Sequence, residues 1–226
     1  MIQFTHVSKS YHDLNVLERL SFTVRRGETV GILGPSGSGK TTILRLIAGL
    51  TEPTTGKITV EGTQLAYVFQ EPRLLPWRTV LDNVRAALRA KGLPSQTARL
   101  VAREWLKHVG LADFEHYYPA QLSGGMQQRT ALARAFATEP DILLLDEPFS
   151  SLDVNRKVAL LTILQNMIRD TNVTVVYVTH DFTELIRMAD RIFSLDANTG
   201  LRELDLSNRR KLLLDYVTEL LPAANS

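Results

Sequence analysis

The segment Thr29-Val30-Gly31-Ile32-Leu33-Gly34, continued by Pro35-Ser36-Gly37-Ser38-Gly39-Lys40-Thr41, constrains this chain more than any other stretch. A short run that is apolar on both faces reads as a central strand of a parallel sheet, and an apolar-periodic helix is expected after it, from Thr41 to Leu50. Between them, Gly34-x-x-x-x-Gly39-Lys40-Thr41 is a P-loop in the strand-to-helix context that the motif requires. Its glycines let backbone N–H groups turn inward around a β-phosphate, and the helix start adds about half a positive charge. The expected ligand-binding set is Gly34, Pro35, Ser36, Gly37, Ser38, Gly39, Lys40, Thr41 and Thr42. Lys40 reaches the β- and γ-phosphates as a point charge, and the Thr41 hydroxyl serves Mg²⁺. ATP and Mg²⁺ are the expected ligands.

The other half of such a site is a buried strand ending in a carboxylate. Ile142-Leu143-Leu144-Leu145-Asp146-Glu147 provides two in succession. Consecutive residues at a strand end point in different directions, so Asp146 is expected to support Mg²⁺ or its waters and Glu147 to act as general base on the attacking water.

Around these motifs the chain reads as an α/β P-loop NTPase with a mostly parallel central sheet. Alternation in Ile2 to Val7 and in Leu20 to Val24 predicts an antiparallel β subdomain, its strands joined by a segment containing Tyr11. Short strands are expected at Lys57 to Glu61 and Ala66 to Phe69, with a turn at Pro53 to Gly56. From Thr79 to about Ala137 the strand signal gives way to helical periodicity: Val80, Val84, Ala87 and Leu88, then Leu100 to Val109, then Gln127 to Ala137. The expected organisation is one domain over 1–226, with a nucleotide-binding core of 1–77 and 138–226 and an inserted helical subdomain of 78–137. Strands return at Ile142 to Leu145, Thr174 to Thr179 and Ile192 to Leu195. Helices are expected from Asn155 to Arg169 and Phe182 to Ala189, and an amphipathic one over Ser207 to Leu221.

Composition narrows the function. With 226 residues, 44% of them hydrophobic, a core forms without metal or disulfide, and with no cysteine there is no thiolate site. The net charge of +2 comes from scattered basic residues, which argues against a nucleic-acid partner. Arg209-Arg210-Lys211 reads as a solvated helix face. Met1 to His6 lacks the apolar stretch of a signal peptide, and no run reaches the roughly 18 apolar residues of a membrane span. Membrane association is therefore expected through a partner.

Leu122-Ser123-Gly124-Gly125-Met126-Gln127-Gln128 opens a helix and makes a second anion site from exposed N–H groups. It resembles the signature sequence of the ATP-binding cassette family, and Ser123 stands 83 residues after Lys40 and 23 before Asp146, an order and spacing similar to the family's. The resemblance implies two cassettes paired head to tail, with Ser123, Gly124 and Gly125 of one chain closing on the γ-phosphate held by the other. Tyr11 resembles the aromatic residue that stacks on adenine. Gln70 resembles the glutamine that contacts Mg²⁺ and water while linking the nucleotide to the helical subdomain. Ser151-Leu152-Asp153 resembles the loop that crosses to the partner. His180 resembles the histidine that reaches the γ-phosphate. The implied catalytic set is Glu147, His180, Gln70 and Lys40, and the implied metal set Thr41, Gln70 and Asp146.

Glu71-Pro72-Arg73-Leu74-Leu75-Pro76-Trp77-Arg78-Thr79-Val80 is similar to a stretch in cassette subunits of importers for nitrate, sulfonates, taurine and related solutes. Two prolines hold it extended, and Leu74, Leu75 and Trp77 offer apolar area to a short helix of a membrane subunit. The resemblance implies transmembrane permease subunits, an indirect solute-binding protein and a peripheral position on the cytoplasmic side of the inner membrane. Two departures stand out: Met126 where many members have glutamine, and a short Gly62 to Ala66 segment. No appended regulatory domain is expected after Leu221. An exporter ATPase and a cassette protein acting on DNA or ribosomes remain alternatives; the latter usually carry a long coiled coil or two cassettes on one chain.

Overall fold

The computed structural model describes residues 1–150, 152–196, 200–209 and 212–213. The fold is α/β, with a mixed, mostly parallel sheet and a separate antiparallel one. The chain divides into two compact units, Met1–Glu61 with Val176–Ser226, and Gly62–Val175.

In the first unit, strand β1 (Ile2–Tyr11) lies between β2 (Leu14–Val24) and β4 (Thr55–Val60), antiparallel to both. Alternation buries Ile2 and Phe4, and the Phe4 ring stacks on Phe22 at 4.5 Å. β1 is longer than its alternation suggests, because register shifts between Phe4 and Val7 and between Val7 and Lys9 break the pattern without ending the pairing. Tyr11 thus closes the strand instead of lying in a connecting segment.

Strand β3 (Thr29–Leu33) pairs parallel with β8 (Arg191–Asp196), which β9 (Gly200–Glu203) flanks antiparallel. A Cβ on Gly31 would stand 2.9 Å from Leu185 Cδ2, so glycine lets α6 (Phe182–Met188) pack close over β3. Helix α1 (Lys40–Ile47) stops short of Leu50: Gly49 turns left-handed at φ 67°, and the Leu50 N–H reaches back to the Arg45 carbonyl at 2.9 Å. Arg191 ties the edge together, donating to both Glu203 carboxylate oxygens at 2.6 and 2.8 Å and to Glu28 Oε1 at 3.3 Å.

In the second unit, β5 (Leu65–Val68) runs parallel to β6 (Ile142–Asp146), in register from Leu65 opposite Ile142 to Val68 opposite Leu145. The short segment ahead of β5 is held by Asp141 Oδ2, which accepts from Thr63 N at 2.8 Å and Gln64 N at 3.1 Å. Helices α2 (Val80–Ala90), α3 (Ser95–His108) and α4 (Gly124–Phe136) pack around Val84, Leu88, Ala98, Ala102, Leu106, Leu132 and Phe136, none more than 1% exposed. α3 begins at Ser95, ahead of the expected Leu100, since Ala98 and Ala102 extend the Leu106 stripe by one residue in four. Helix α5 (Val154–Thr171) follows, and the fully buried β7 (Thr174–Thr179) begins in this unit and ends in the other.

Among the described residues no helix is long and apolar enough to cross a membrane. Of the expected Ser207 to Leu221 helix, 210–211 and 214–221 lie outside the described residues. Arg209 is exposed, as a solvated helix face would be, and its guanidinium also donates to the Ile186 carbonyl at 3.0 Å and the Ala189 carbonyl at 2.9 Å, capping the end of α6. Arg210 and Lys211 are not described.

Candidate active site

The first unit carries the glycine loop between β3 and α1. A Cβ on Gly34 would stand 2.4 Å from the Leu195 carbonyl oxygen and 2.7 Å from Ser38 Oγ, so no larger residue fits there without moving backbone. Gly37 and Gly39 take left-handed φ values of 83° and 100°. Gly39 is the cap of α1, which has no side-chain capping bond and no acidic residue in its first turn. Gly39 thus offers no side chain to the leading N–H groups, and the first turn has no carboxylate to offset the helix dipole.

Lys40, 4% exposed, bends back across the loop and donates to the Gly34 and Pro35 carbonyls, both at 2.8 Å. Ser38 Oγ is buried with no hydrogen-bond partner. An orphaned hydroxyl, glycines that admit close approach and a buried ammonium fit a polyanionic group such as a phosphate chain, which would give the Ser38 hydroxyl an acceptor. Thr41 is half-buried and Thr42 buried at the start of α1.

Tyr11 is 37% exposed, with Lys9 Nζ 4.7 Å from its ring centroid. His180 is exposed just beyond β7, and its surroundings are fixed. Asp181 caps α6 by accepting from Thr183 N at 2.9 Å, and the Tyr177 hydroxyl donates to Glu184 Oε2 at 2.5 Å in the core. This buried tyrosine–glutamate pair has no motif in the sequence; only the fold brings its partners together.

The second unit carries the carboxylates. Asp146, 7% exposed, accepts a hydrogen bond from the Tyr67 hydroxyl at 2.8 Å. Glu147 is half-buried and left-handed, with φ 43°, which turns the chain out of the strand directly after Asp146. A non-glycine residue in that region costs about 1–2 kcal/mol, so the surrounding fold must hold it there. Gln70, exposed, donates from Nε2 to Ser150 Oγ at 3.2 Å, and Ser150 donates in turn to the Glu147 carbonyl at 3.1 Å. Gln70 and Glu147 are thereby joined through one serine.

Ser123 caps α4, its Oγ accepting from Met126 N at 3.4 Å, and the first turn of that helix carries no acid. Ser123 and Gly124 are exposed, and a Cβ on Gly124 would meet nothing within 4 Å. Beside this helix start is a cavity of about 220 Å³ lined by Ser123, Gly125, Arg129, Arg156, Leu160 and Ile163. Its two arginines add positive charge near the glycines. Of the implied crossing loop, Asp153 caps α5 by accepting from Arg156 N at 3.0 Å, and Ser151 lies outside the described residues.

The stretch after Gln70 is clamped from two sides. Arg134 of α4 donates to the Pro72 and Arg73 carbonyls, both at 2.9 Å, and burial pushes its pKa down. Asn83, fully buried, accepts from Leu75 N at 2.7 Å and donates to the carbonyls of Leu75, Arg78 and Thr79. Leu74 and Leu75 are half-buried, while Trp77 is 71% exposed. Neither Asn83 nor Arg134 carries a sequence signal beyond its place on a helix.

The family model described as "ABC transporter" matches residues 17–150, and a second, an AAA domain described as a putative AbiEii toxin of a type IV toxin–antitoxin system, matches 117–187. The aliphatic sulfonates import ATP-binding protein SsuB 1 of Rhodococcus jostii is 44% identical over 209 residues, covering 90% of this chain and 82% of the relative. The Fe(3+) ions import ATP-binding protein FbpC of Rhizobium etli is 40% identical, covering 96% of this chain and 66% of its own. Among solved structures, the dimeric post-hydrolysis state of the ATP-binding cassette MJ0796 bound to ADP and Pi superposes with a TM-score of 0.83 at 33% identity, over 92% of this chain and 100% of that one. With the family model covering more than half of its residues and relatives this similar along most of its length, the chain belongs to the ABC transporter family, as an ATP-hydrolysing cassette subunit.

Proposed function

We propose that this subunit drives import of a small solute, of the sulfonate, nitrate or taurine kind, through permease subunits that it meets from the cytoplasmic face of the membrane. Relatives named for import support the direction, and the clamped loop bearing exposed Trp77 supplies an apolar contact for a membrane partner. Solute choice falls to the permease and a solute-binding protein. The chain acts as one cassette domain, with the helices of 78–137 as its signature-bearing part.

In this reading the loop from Gly34 to Thr42 holds the phosphates, Lys40 turns from the loop carbonyls to the β- and γ-phosphates, and Tyr11 stacks on adenine. When bound, Mg²⁺ supplies positive charge that offsets the β- and γ-phosphate oxygens. Thr41, Gln70 and Asp146 are the residues to hold it, an oxygen set that suits an ion which keeps several waters. Glu147 takes the proton of the attacking water, and His180 donates to the γ-phosphate. Ser123, Gly124 and Gly125 of a second copy close over that phosphate from the opposite side.

One observation carries the reading: of the α-helices with no acid in their first turns, α1 and α4 are the two led by glycine, and of these only α1 has a lysine folded back across its loop. In this reading each completed site takes the α1 start of one chain and the α4 start of another. The ATPase rate per chain should therefore fall on dilution; a constant rate down to monomeric concentrations would remove the paired mechanism. In membranes reconstituted with the permease and binding protein, the transported solute should raise turnover.

A further inference from the structure

Strand register places Tyr67 and Asp146 in contact. Tyr67 lies opposite Leu144 on the neighbouring parallel strand, and Asp146, two residues further along, shares the Leu144 face of β6. Two residues of strand span about 6.6 Å, which is the length of a tyrosine side chain leaning along the strand direction. Its hydroxyl accordingly reaches Asp146 Oδ2, at 2.8 Å.

The ring that delivers this hydroxyl is itself fixed. Phe69 stacks on Tyr67 at 4.1 Å with 17° between the planes. The Arg73 guanidinium covers Phe69 at 3.9 Å from the centroid. The Arg73 carbonyl is then held by Arg134 of α4, the helix that Ser123 caps. A stacked column therefore runs from the signature helix to the buried carboxylate, and each layer restricts the next. A tyrosine with a free ring could leave Asp146; this one is braced on its far side.

We propose that Tyr67 is a positioning residue for metal binding: its O–H···O bond holds the Asp146 carboxylate in one orientation, so that Mg²⁺ and its waters meet a preset ligand. The inference rests on the assignment of Asp146 to Mg²⁺ made above. Hydrogen bonds from a second layer of residues commonly set the orientation of metal ligands, and losing one costs about 10–100-fold in metal affinity or activity.

Tyr67→Phe tests it, because the ring, the Phe69 stack and the strand remain while only the hydroxyl goes. In the full-length chain, the Mg²⁺ concentration giving half-maximal ATPase rate and the affinity for Mn²⁺ with nucleotide, read by electron paramagnetic resonance, are compared across wild type, Tyr67→Phe and Asp146→Asn. Nucleotide affinity without divalent metal is read alongside. The expected result for Tyr67→Phe is a rise of about 10-fold or more in both metal constants, at the low end of that range, with metal-free nucleotide affinity unchanged. Unchanged metal constants in Tyr67→Phe, with those of Asp146→Asn raised, would overturn the role of Tyr67 alone. A lower melting temperature with unmoved metal constants would do the same, marking the bond as structural only. Unmoved constants in Asp146→Asn would instead remove the metal assignment, and Tyr67 would fall with it.

Discussion

Two helices of this protein begin with glycine and without a carboxylate, and they are built for different tasks. α1 starts inside a loop: Gly39 is its left-handed cap, Lys40 is 4% exposed, and Ser38 Oγ is buried without a partner. α4 starts in the open: Ser123 caps it, Ser123 and Gly124 are exposed, and a Cβ on Gly124 would meet nothing within 4 Å. By contrast, α2, α5 and α6 place Asp82, Asp153 and Asp181 at or near their first turns, where a carboxylate offsets the helix dipole. Leaving both glycine-led starts uncompensated keeps their positive ends for an outside anion. In the proposed reading the enclosed start, with Lys40 folded across it, holds the phosphate chain, and the open start, with Arg129 and Arg156 beside it, completes a site held by another copy.

The largest test removes chemistry while leaving both starts intact. Glu147→Gln should lower turnover by about 10²–10⁴-fold and keep ATP affinity near wild type. Steady-state hydrolysis measured beside equilibrium nucleotide binding distinguishes this from a binding defect, and unchanged hydrolysis would take Glu147 out of its role.

Next, Gly124→Asp puts a carboxylate at the open start without a steric penalty. The helix should be as stable or slightly more so, by about 0.3–1 kcal/mol. ATP binding by the lone chain should be unaffected. ATP-dependent pairing and turnover should fall by about 10²-fold, the scale of losing an oriented donor to a developing charge. Thermal unfolding, nucleotide binding and sedimentation together read this, and full turnover in this variant would break the contrast between the two starts.

Gly34→Ala strikes the enclosed start instead. A methyl group 2.4 Å from the Leu195 carbonyl forces the loop to shift, costing about 1–3 kcal/mol of stability and weakening nucleotide binding in the lone chain. Denaturant titration with and without ATP checks both parts.

The smallest effect lies away from either start. Arg103 donates to both Glu115 oxygens at 2.7 and 2.6 Å, and this bond holds the Glu115 carboxyl below the usual range. A lowered folded-state pKa gives stability that is present above the ordinary carboxylate pKa and is lost as pH falls through the lower folded value. Arg103→Ala should therefore flatten the loss of melting temperature with acid between about pH 5 and 3, and leave neutral-pH turnover unchanged.

Much of this contrast is legible in the residues. The P-loop, the acid-terminated strand and Ser123-Gly124-Gly125 are local patterns, because glycine placement and helix starts are decided within a few residues. The core strands Thr29–Leu33, Ile142–Asp146 and Thr174–Thr179 are legible for the same reason: each is apolar on both faces. What escapes depends on register or on distant partners. β9 has only four residues, none of them buried, and is defined by pairing with β8 and by the Arg191–Glu203 fork. The early start of α3 rests on Ala98 and Ala102, whose small side chains give a weak apolar signal although they are fully buried. The left-handed turn at Glu147 and the reach of Tyr67 to Asp146 have no local marker at all.

The central claim is that Lys40's loop in one copy faces Ser123 of another. The chain has no cysteine, so single cysteines can be placed without background. Two populations carrying Glu147→Gln, one with Ser36→Cys and the other with Ser123→Cys, are mixed with ATP and a short bis-maleimide in the presence of the permease. Crosslinked dimers that form only in the mixture, and only with ATP, are the predicted result. Equal crosslinking without ATP, or none in the mixture while ATP binding is intact, would contradict the account.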